Sequence, residues 1–242
     1  MRTLIIADIH ANFDALSVLP EADAILCAGD LVTFGVEPNE CVEWLMTRPS
    51  ACIRGEEDDA VANGVPHLLP EHLVEAGTES REWTRRVLKP GLLAWLSTLP
   101  PELEIEVEGR RIALVHAYPG DYNRYLMPTE DELHRITRAF PRADVIVTAH
   151  THRQGVWRYG GKVIVNPGSV GQNAKQGVAA YALLEGGRIT FGAAPYGIGA
   201  VVRKLRWSSL RAGAREACVR EIVHGSDRPK NRLPWPKPST LA

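Results

Sequence analysis

Five segments of this chain place acidic or histidine side chains directly after apolar runs that are typical of buried strands. Such side chains are common metal ligands, and carboxylates gathered at one sheet edge are costly unless cations neutralise them. A single residue of this kind is more often structural, but the joint occurrence favours a metal site. The residues concerned are Asp8 and His10, Asp30, the acidic run at 56–58, His116, and His150 with His152.

These ligand types indicate a site for two metal ions. Two or three carboxylates and four imidazoles exceed the roughly four to six positions that one ion fills, and mixed oxygen and nitrogen donors suit Mn, Fe, Co, Ni or Zn. The absence of cysteine from the set excludes a zinc finger. Two ions about 3.5–4 Å apart lower the pKa of a shared water and hold a phosphoryl group. Hydrolysis of a phosphate ester is the chemistry that such a site predicts.

Alternating strands and helices are predicted to position the first of these residues. A continuous apolar run such as 3–7 is typical of a central parallel strand that is covered on both faces. Helix signals at Asn12 and Pro38 separate the runs, so the order is β-α-β-α-β. The predicted elements are strands at 3–7, 24–28 and 51–54, helices over 12–19 and 38–46, and two or more helices within 67–99.

The second half of the chain favours antiparallel hairpins. Gly109 separates two apolar runs, and Gly-Gly pairs separate the runs within 157–163 and 183–189. Glycine pairs of this kind are typical of tight hairpin turns. Further predicted elements are strands at 103–107, 112–115 and 145–148, and a helix over 129–140.

Length and composition limit the classes of protein to which this chain can belong. A chain of 242 residues with 45% hydrophobic residues can bury one sizeable core, so we expect one domain over 1–227. Four cysteines without paired spacing indicate a reducing compartment. No segment has the apolar length of a signal peptide or a bilayer span, and we therefore expect a cytoplasmic protein with no membrane partner.

The charge distribution sets the C-terminal segment apart. From Val201 onward the chain has ten lysines and arginines and three acids, although the whole chain has a net charge of −1. The proline-rich stretch 228–242 is predicted to be a tail. A helix surface that packs against the acidic remainder explains the basic segment better than a nucleic-acid site, so we consider a nucleic-acid partner unlikely and a homo-oligomer feasible.

The order of D-x-H, Gly-Asp, a strand-end histidine and H-T-H resembles the calcineurin-like metallophosphoesterases. Residues 29–41 and 165–172 are similar to the small bacterial and archaeal phosphodiesterase branch, and the resemblance covers about residues 4–196. It implies an α/β (α+β) fold, a four-layer αββα sandwich of two mixed sheets flanked by helices. This agrees with parallel units followed by hairpins.

The resemblance also implies roles for single residues. It gives Asp8, His10, Asp30 and His152 to one ion, and Asp30, Glu56, His116 and His150 to the other, with Asp30 as the bridge. The catalytic residues implied are Asp30, Glu57 and His116, and the substrate-binding residues implied are Asn12, Glu57 and Asn166.

The stretch Arg54–Val61, RGEEDDAV, departs from the family pattern. Relatives have asparagine and histidine where this chain has Glu56 and Glu57. The Glu56 carboxylate would leave a metal-loaded centre with one positive charge less, and we expect Glu57 to add a further negative charge. We expect Asp58 and Asp59 to orient neighbours or face solvent. Alanines 11, 117 and 149 stand where relatives commonly have glycine, and a positive φ would cost each about 1 kcal/mol.

Three functions are consistent with these observations. The first is a dinuclear phosphoesterase that acts on a small phosphate ester and prefers diesters, because like charges repel a phosphate dianion. The second is a catalytically weakened member of the family that binds a nucleotide or phosphate as a regulator. The third is a nucleic-acid-processing member that uses the basic C-terminal segment.

Overall fold

Two five-stranded sheets form the centre of the fold, in a computed structural model that describes residues 1–173 and 177–225. The predicted tail at 228–242 lies outside the described residues. In the first sheet, three parallel strands lie beside an antiparallel hairpin. Its order is β10-β9-β1-β2-β3, with β1 Arg2–Ile6, β2 Ala24–Cys27, β3 Ser50–Cys52, β9 Val178–Glu185 and β10 Arg188–Pro195.

The second sheet combines a parallel centre with antiparallel edges. Strands β5, β6 and β8 are parallel, and β4 and β7 pair with them in antiparallel orientation. The order is β4-β5-β6-β8-β7, with β4 Glu102–Val107, β5 Arg110–Val115, β6 Val145–Val147, β7 Gln154–Tyr159 and β8 Lys162–Pro167. Both sheets are therefore mixed, as predicted.

Eight α-helices and one 3₁₀ turn, at Glu71–Leu73, accompany the sheets in the described part of the chain. The helices are α1 Phe13–Leu16, α2 Pro38–Met46, α3 Glu56–Asn63, α4 Val74–Val87, α5 Pro90–Thr98, α6 Glu130–Ala139, α7 Ile198–Trp207 and α8 Ala212–His224. Within these ranges no helix is long and apolar enough to cross a bilayer.

The buried side chains form separate hydrophobic cores on the two faces of each sheet, because successive residues of a strand point to opposite faces. Ile5 and Leu26 of the first sheet share a core with Leu114 and Val147 of the second. The opposite face of the first sheet packs on α1, α2 and α5, and the opposite face of the second packs on α6. Helices therefore cover both outer faces of two stacked sheets, which confirms the α/β sandwich.

The C-terminal helices extend this layer. The Lys204 amine of α7 lies 2.7 Å from a carboxylate oxygen of Asp14 and 2.8 Å from one of Glu37. The Arg211 guanidinium pairs with Glu79 at 2.5 Å. These contacts agree with the expectation that the basic segment packs against acidic residues of the preceding chain.

Two local features differ from the sequence predictions. Helix α1 ends at Leu16, so residues 17–19 are not helical. Helix α3 begins at Glu56, in a stretch for which no helix was predicted. Its sequence, EEDDAVAN, lacks the apolar spacing that signals a helix.

Candidate metal centre

The loops after four strands meet at one end of the sandwich. Asp8 and His10 follow β1, Asp30 follows β2, His116 follows β5, and His150 and His152 follow β6. Because β1 and β2 are parallel, as are β5 and β6, each pair delivers its loops to the same edge of its sheet. Stacking of the two sheets brings these two edges together.

The seven predicted ligands form two separate groups and a third, Asp8 with Asp30 and His116, that overlaps both. Ligand atoms of Asp8, His10 and His152 lie within 4.8 Å of one another. A second group with the same maximum separation contains Glu56, His116 and His150. All seven predicted ligands therefore lie close together, and their division between two ions stays a prediction.

Asp30 lies between the two groups. Its Oδ2 is 3.7 Å from His10 Nε2 and 3.5 Å from His116 Nε2, while its Oδ1 accepts a hydrogen bond from the Glu57 amide at 3.0 Å. Asp30 Oδ2 is buried and has no hydrogen-bond partner among the described residues. A buried carboxylate oxygen of this kind is costly unless a nearby positive charge neutralises it, and its position between His10 and His116 suits an atom that touches two ions.

Backbone carbonyls orient two of the imidazoles. His116 Nδ1 lies 2.6 Å from the Ala28 carbonyl, and His152 Nδ1 lies 3.2 Å from the Gln172 carbonyl. When each Nδ1 donates to its carbonyl, each Nε2 faces the carboxylates, as a donor while the imidazole is protonated and as a metal ligand once it is neutral. This arrangement is typical of metal-bound histidines.

Five of the seven candidate ligands have left-handed backbone conformations: Asp8, His10, Asp30, His150 and His152 have φ between 49° and 62°. Such conformations cost non-glycine residues on the order of 1–3 kcal/mol each and cluster at functional sites. Because His150 and His152 are both left-handed, they do not alternate as in an extended strand. Each histidine instead enters a different ligand group.

The three alanines noted in the sequence differ in conformation. Ala11 has a φ of 50°, whereas Ala117 and Ala149 do not have positive φ. The expected strain therefore applies at Ala11 alone. There the amide donates to the Leu31 carbonyl at 2.9 Å, and this bond ties the β1 loop to the β2 loop.

Helix α3 explains the run of acids after β3. Glu56, Glu57, Asp58 and Asp59 all lie in its first turn, where the helix dipole favours negative charge. The Asp58 carboxylate accepts hydrogen bonds from the amides of Gly55, Leu31 and Val32. It therefore caps the helix and orients the loop after β2.

Asp58 and Asp59 both orient neighbours, the first of the two roles expected for them, and neither faces solvent. Asp58 is fully buried, and Asp59 is 5% exposed and lies 3.0 Å from the Arg54 guanidinium. Gly55 is required for this close packing, since a Cβ there would lie 2.2 Å from Asp30 Oδ1. Helix α3 is consequently held against the candidate bridging carboxylate.

Glu57 forms an ion pair that sequence reasoning missed. Its two carboxylate oxygens accept from Arg81 Nη2 at 2.7 Å and Nε at 2.9 Å. Burial raises the pKa of Glu57, and the Arg81 guanidinium opposes this change. The negative charge that Glu57 was expected to add is thus offset, which corrects that part of the charge argument. No sequence signal marked Arg81, because it lies one helix further along the chain.

The two asparagines with predicted substrate contacts have structural partners. Asn12 Oδ1 caps α1 through the Ala15 amide, and Asn12 Nδ2 donates to the Gly171 carbonyl. Asn166 Nδ2 donates to the Ala149 carbonyl and to Thr151 Oγ1. Both side chains are at most 1% exposed. These contacts favour positioning of the ligand loops over contact with substrate.

Neighbouring charges control the protonation of the second group. Burial raises the pKa of Glu56, but the imidazoles of His150 and His116 outweigh burial and hold the pKa well below its ordinary value. Burial lowers the pKa of His116, and the carboxylates of Asp30 and Glu56 reverse this and hold it well above the usual range. The carboxylate of Glu56 is therefore kept in the anionic form that metal binding requires.

A family model for the calcineurin-like phosphoesterase superfamily domain matches residues 1–187. The chain belongs to this superfamily. In this calcineurin-like phosphoesterase the matched region includes all seven candidate ligands. The predicted family is thereby confirmed, and with it the assignment to a superfamily of metal-dependent hydrolases.

Similar proteins come from bacteria and archaea. An uncharacterized protein of Methanocaldococcus jannaschii, MJ0912, is 29% identical over 191 residues, which cover 69% of this chain and 75% of the relative. A metallophosphoesterase structure from Sphaerobacter thermophilus is 26% identical, with a TM-score of 0.74 over 90% of this chain and 98% of that one. The hypothetical protein PH1004 from Pyrococcus horikoshii shares the fold, with a TM-score of 0.80 at 20% identity over 93% and 98% of the two chains.

Proposed function

We propose that this protein hydrolyses phosphate esters at a centre of two divalent transition-metal ions, and that it prefers diesters over monoesters. The observation that carries the proposal is the pair of ligand groups with Asp30 between them. One ion would be held by Asp8, His10, Asp30 and His152, and the other by Asp30, Glu56, His116 and His150.

The bound ions would supply an activated water and a clamp for the phosphoryl oxygens. The protein's own residues position that chemistry. Asp30 Oδ2 lies within 4 Å of imidazoles from both groups, so it can set the separation of two ions. The carbonyls of Ala28 and Gln172 fix the imidazoles of His116 and His152.

Glu56 supports the preference for diesters. Its carboxylate lies 2.7 Å from His116 Nε2 and 2.7 Å from His150 Nδ1, so its charge is inside the centre. A carboxylate in place of a neutral amide weakens the attraction for a phosphate dianion more than for a singly charged diester. Since Arg81 offsets the charge of Glu57, Glu56 alone carries this argument.

A cleft beside the second ligand group provides space for an ester substituent. Its lining combines Glu56, Glu57, Glu221 and His150 with the apolar side chains of Phe34, Leu69 and Leu73. The Tyr125 ring stacks on His150 with ring centroids 4.4 Å apart. A substrate with an apolar group on its leaving oxygen would bury that group here.

The test compares hydrolysis of bis(p-nitrophenyl) phosphate and p-nitrophenyl phosphate by the manganese-loaded protein. We expect kcat/KM to be at least tenfold higher for the diester. Replacing Glu56 by Asn should raise the relative rate for the monoester by about tenfold, which corresponds to about 1.4 kcal/mol of removed repulsion. Glu104→Gln, which removes an exposed acid on β4, is the matched control and should leave the ratio unchanged.

Two outcomes would contradict the proposal. Equal rates for monoester and diester would refute the charge argument. Phosphate binding without hydrolysis of either ester would favour the second candidate, a weakened member of the family. That candidate draws support from Glu57, which stands where relatives have a histidine and is held in an ion pair with Arg81.

A further inference from the structure

A pocket lined by three arginines lies at the end of the sandwich opposite the candidate metal centre. Arg110 begins β5, whereas His116 follows the other end of the same strand, about 20 Å away at strand rise. Arg158 lies beside the β7–β8 turn, and Arg188 begins β10. The pocket has a volume of about 240 Å³ and is lined by both sheets.

Strand alternation places two of these arginines on the inner face of the second sheet. Ile112 of β5 and Val156 of β7 belong to the core between the sheets. Side chains two residues apart in a strand share a face, so Arg110 and Arg158 lie on this face too. Their guanidinium groups therefore line the opening of the space between the sheets, next to the apolar Val163.

The acids near this pocket are engaged by other cations. Glu108 Oε1 lies 3.1 Å from the amino terminus of Met1, and Glu185 Oε1 lies 3.6 Å from Arg2 Nε. Within 1–173 and 177–225, the three arginines of the pocket make no ion pair with an acid. Arg110 and Arg158 therefore share one end of the inner face, and neither has an acidic partner within ion-pair distance in the described part of the chain. Arg188 lines the pocket from β10, but its neighbour Ile189 packs on the core between the sheets, so the Arg188 side chain lies on the opposite face of the first sheet.

We propose that this pocket binds a small phosphate-bearing anion, either inorganic pyrophosphate or the diphosphate group of a nucleotide. Guanidinium groups bind phosphate oxygens through paired hydrogen bonds, and the two of Arg110 and Arg158 suit an anion with two or more charges. The volume admits a diphosphate, and Val163 and Ile189 offer an apolar surface for an attached organic group. This site is separate from the metal centre and does not depend on the proposed hydrolysis.

Isothermal titration of pyrophosphate into the metal-loaded protein, freed of any terminal tag, tests the proposal. The informative variant is Arg110→Gln with Arg158→Gln. Its matched control is Arg138→Gln with Arg142→Gln, which removes the same charge from exposed positions elsewhere on the second-sheet side. The wild type, the pocket variant and the control variant share the same metal centre. A difference in pyrophosphate affinity between them therefore reports on the pocket.

We expect the pocket variant to lose at least tenfold in affinity for one class of pyrophosphate site, while the control matches the wild type. A titration with ADP decides between the two proposed ligands. Tighter binding of ADP than of pyrophosphate supports a nucleotide, and equal or weaker binding supports inorganic pyrophosphate. Arg158→Gln alone, at an exposed position, provides a second variant if the double variant folds poorly, and it should weaken the same site. Identical pyrophosphate isotherms for wild type and pocket variants would overturn the proposal, as would an equal loss in the control.

Discussion

The two ligand groups of the candidate metal centre are built differently. Asp8, His10 and His152 come from two left-handed loops, and their group contains one carboxylate and two imidazoles. The other group takes Glu56 from the first turn of a helix and joins it to His116 and His150. The first group follows the family pattern, whereas the second carries the substitution of a carboxylate for an amide.

This difference shows where the chain can vary without losing the centre. The first group depends on backbone conformations that the β1 and β2 loops hold together, since the amides of Ile9 and His10 both donate to the Asp30 carbonyl. The second depends on helix α3, whose capping by Asp58 and pairing through Glu57 and Arg81 lie outside the ligand set. A substitution at Glu56 therefore changes the charge of the second group, whereas a substitution at Asp58 also affects the β2 loop that both groups share.

The largest expected effect comes from Asp30→Asn, because Asp30 lies between the two ligand groups. If Asp30 touches both ions, the variant should bind each ion at least about 100-fold more weakly. Losing a residue that only hydrogen-bonds a metal ligand already lowers metal affinity by about 10–100-fold. Metal content after gel filtration, measured by mass spectrometry, reports the result.

His152→Ala is the matched comparison for that variant. It removes a ligand of the first group only, so one ion per chain should remain. Retention of an ion by Asp30→Asn, or loss of both by His152→Ala, would show that the two groups are not joined through Asp30.

A smaller effect is expected from Glu57→Gln, which affects the helix that carries the second group. The change leaves the largely buried Arg81 guanidinium without its counter-charge, and breaking such a pair costs on the order of 3 kcal/mol. Urea unfolding measures the free energy of unfolding. Glu75→Gln, at an exposed position on α4, should change it by less than about 0.5 kcal/mol. Equal free energies of unfolding for the two variants would show that the Glu57–Arg81 pair does not stabilise the fold.

Much of the frame could be predicted from the sequence because its signals are local. The apolar run before Asp8 and the Gly-Gly turns are readable within a few residues, and both hairpins form as predicted: Gly160 and Gly161 have φ of 56° and 78°. The candidate ligands directly follow the ends of strands, and the end of an apolar run predicts where a strand ends.

The features that could not be predicted depend on distant contacts. Helix α3 has no apolar periodicity and forms because Asp58 caps it and binds the loop 26 and 27 residues earlier. Arg81 reaches Glu57 from 24 residues away. The resemblance implied substrate contacts for Asn12 and Asn166, whereas their hydrogen bonds to the ligand loops favour a positioning role. Left-handed histidines cannot be read from residue type, since histidine seldom adopts that conformation.

Anomalous X-ray diffraction at the absorption edge of the bound metal tests the central claim most directly. Crystals of the wild-type protein should show two peaks about 3.5–4 Å apart, one beside Asp8, His10 and His152 and the other beside Glu56, His116 and His150, with Asp30 between them. A single peak at full metal loading, or peaks away from these side chains, would contradict the account.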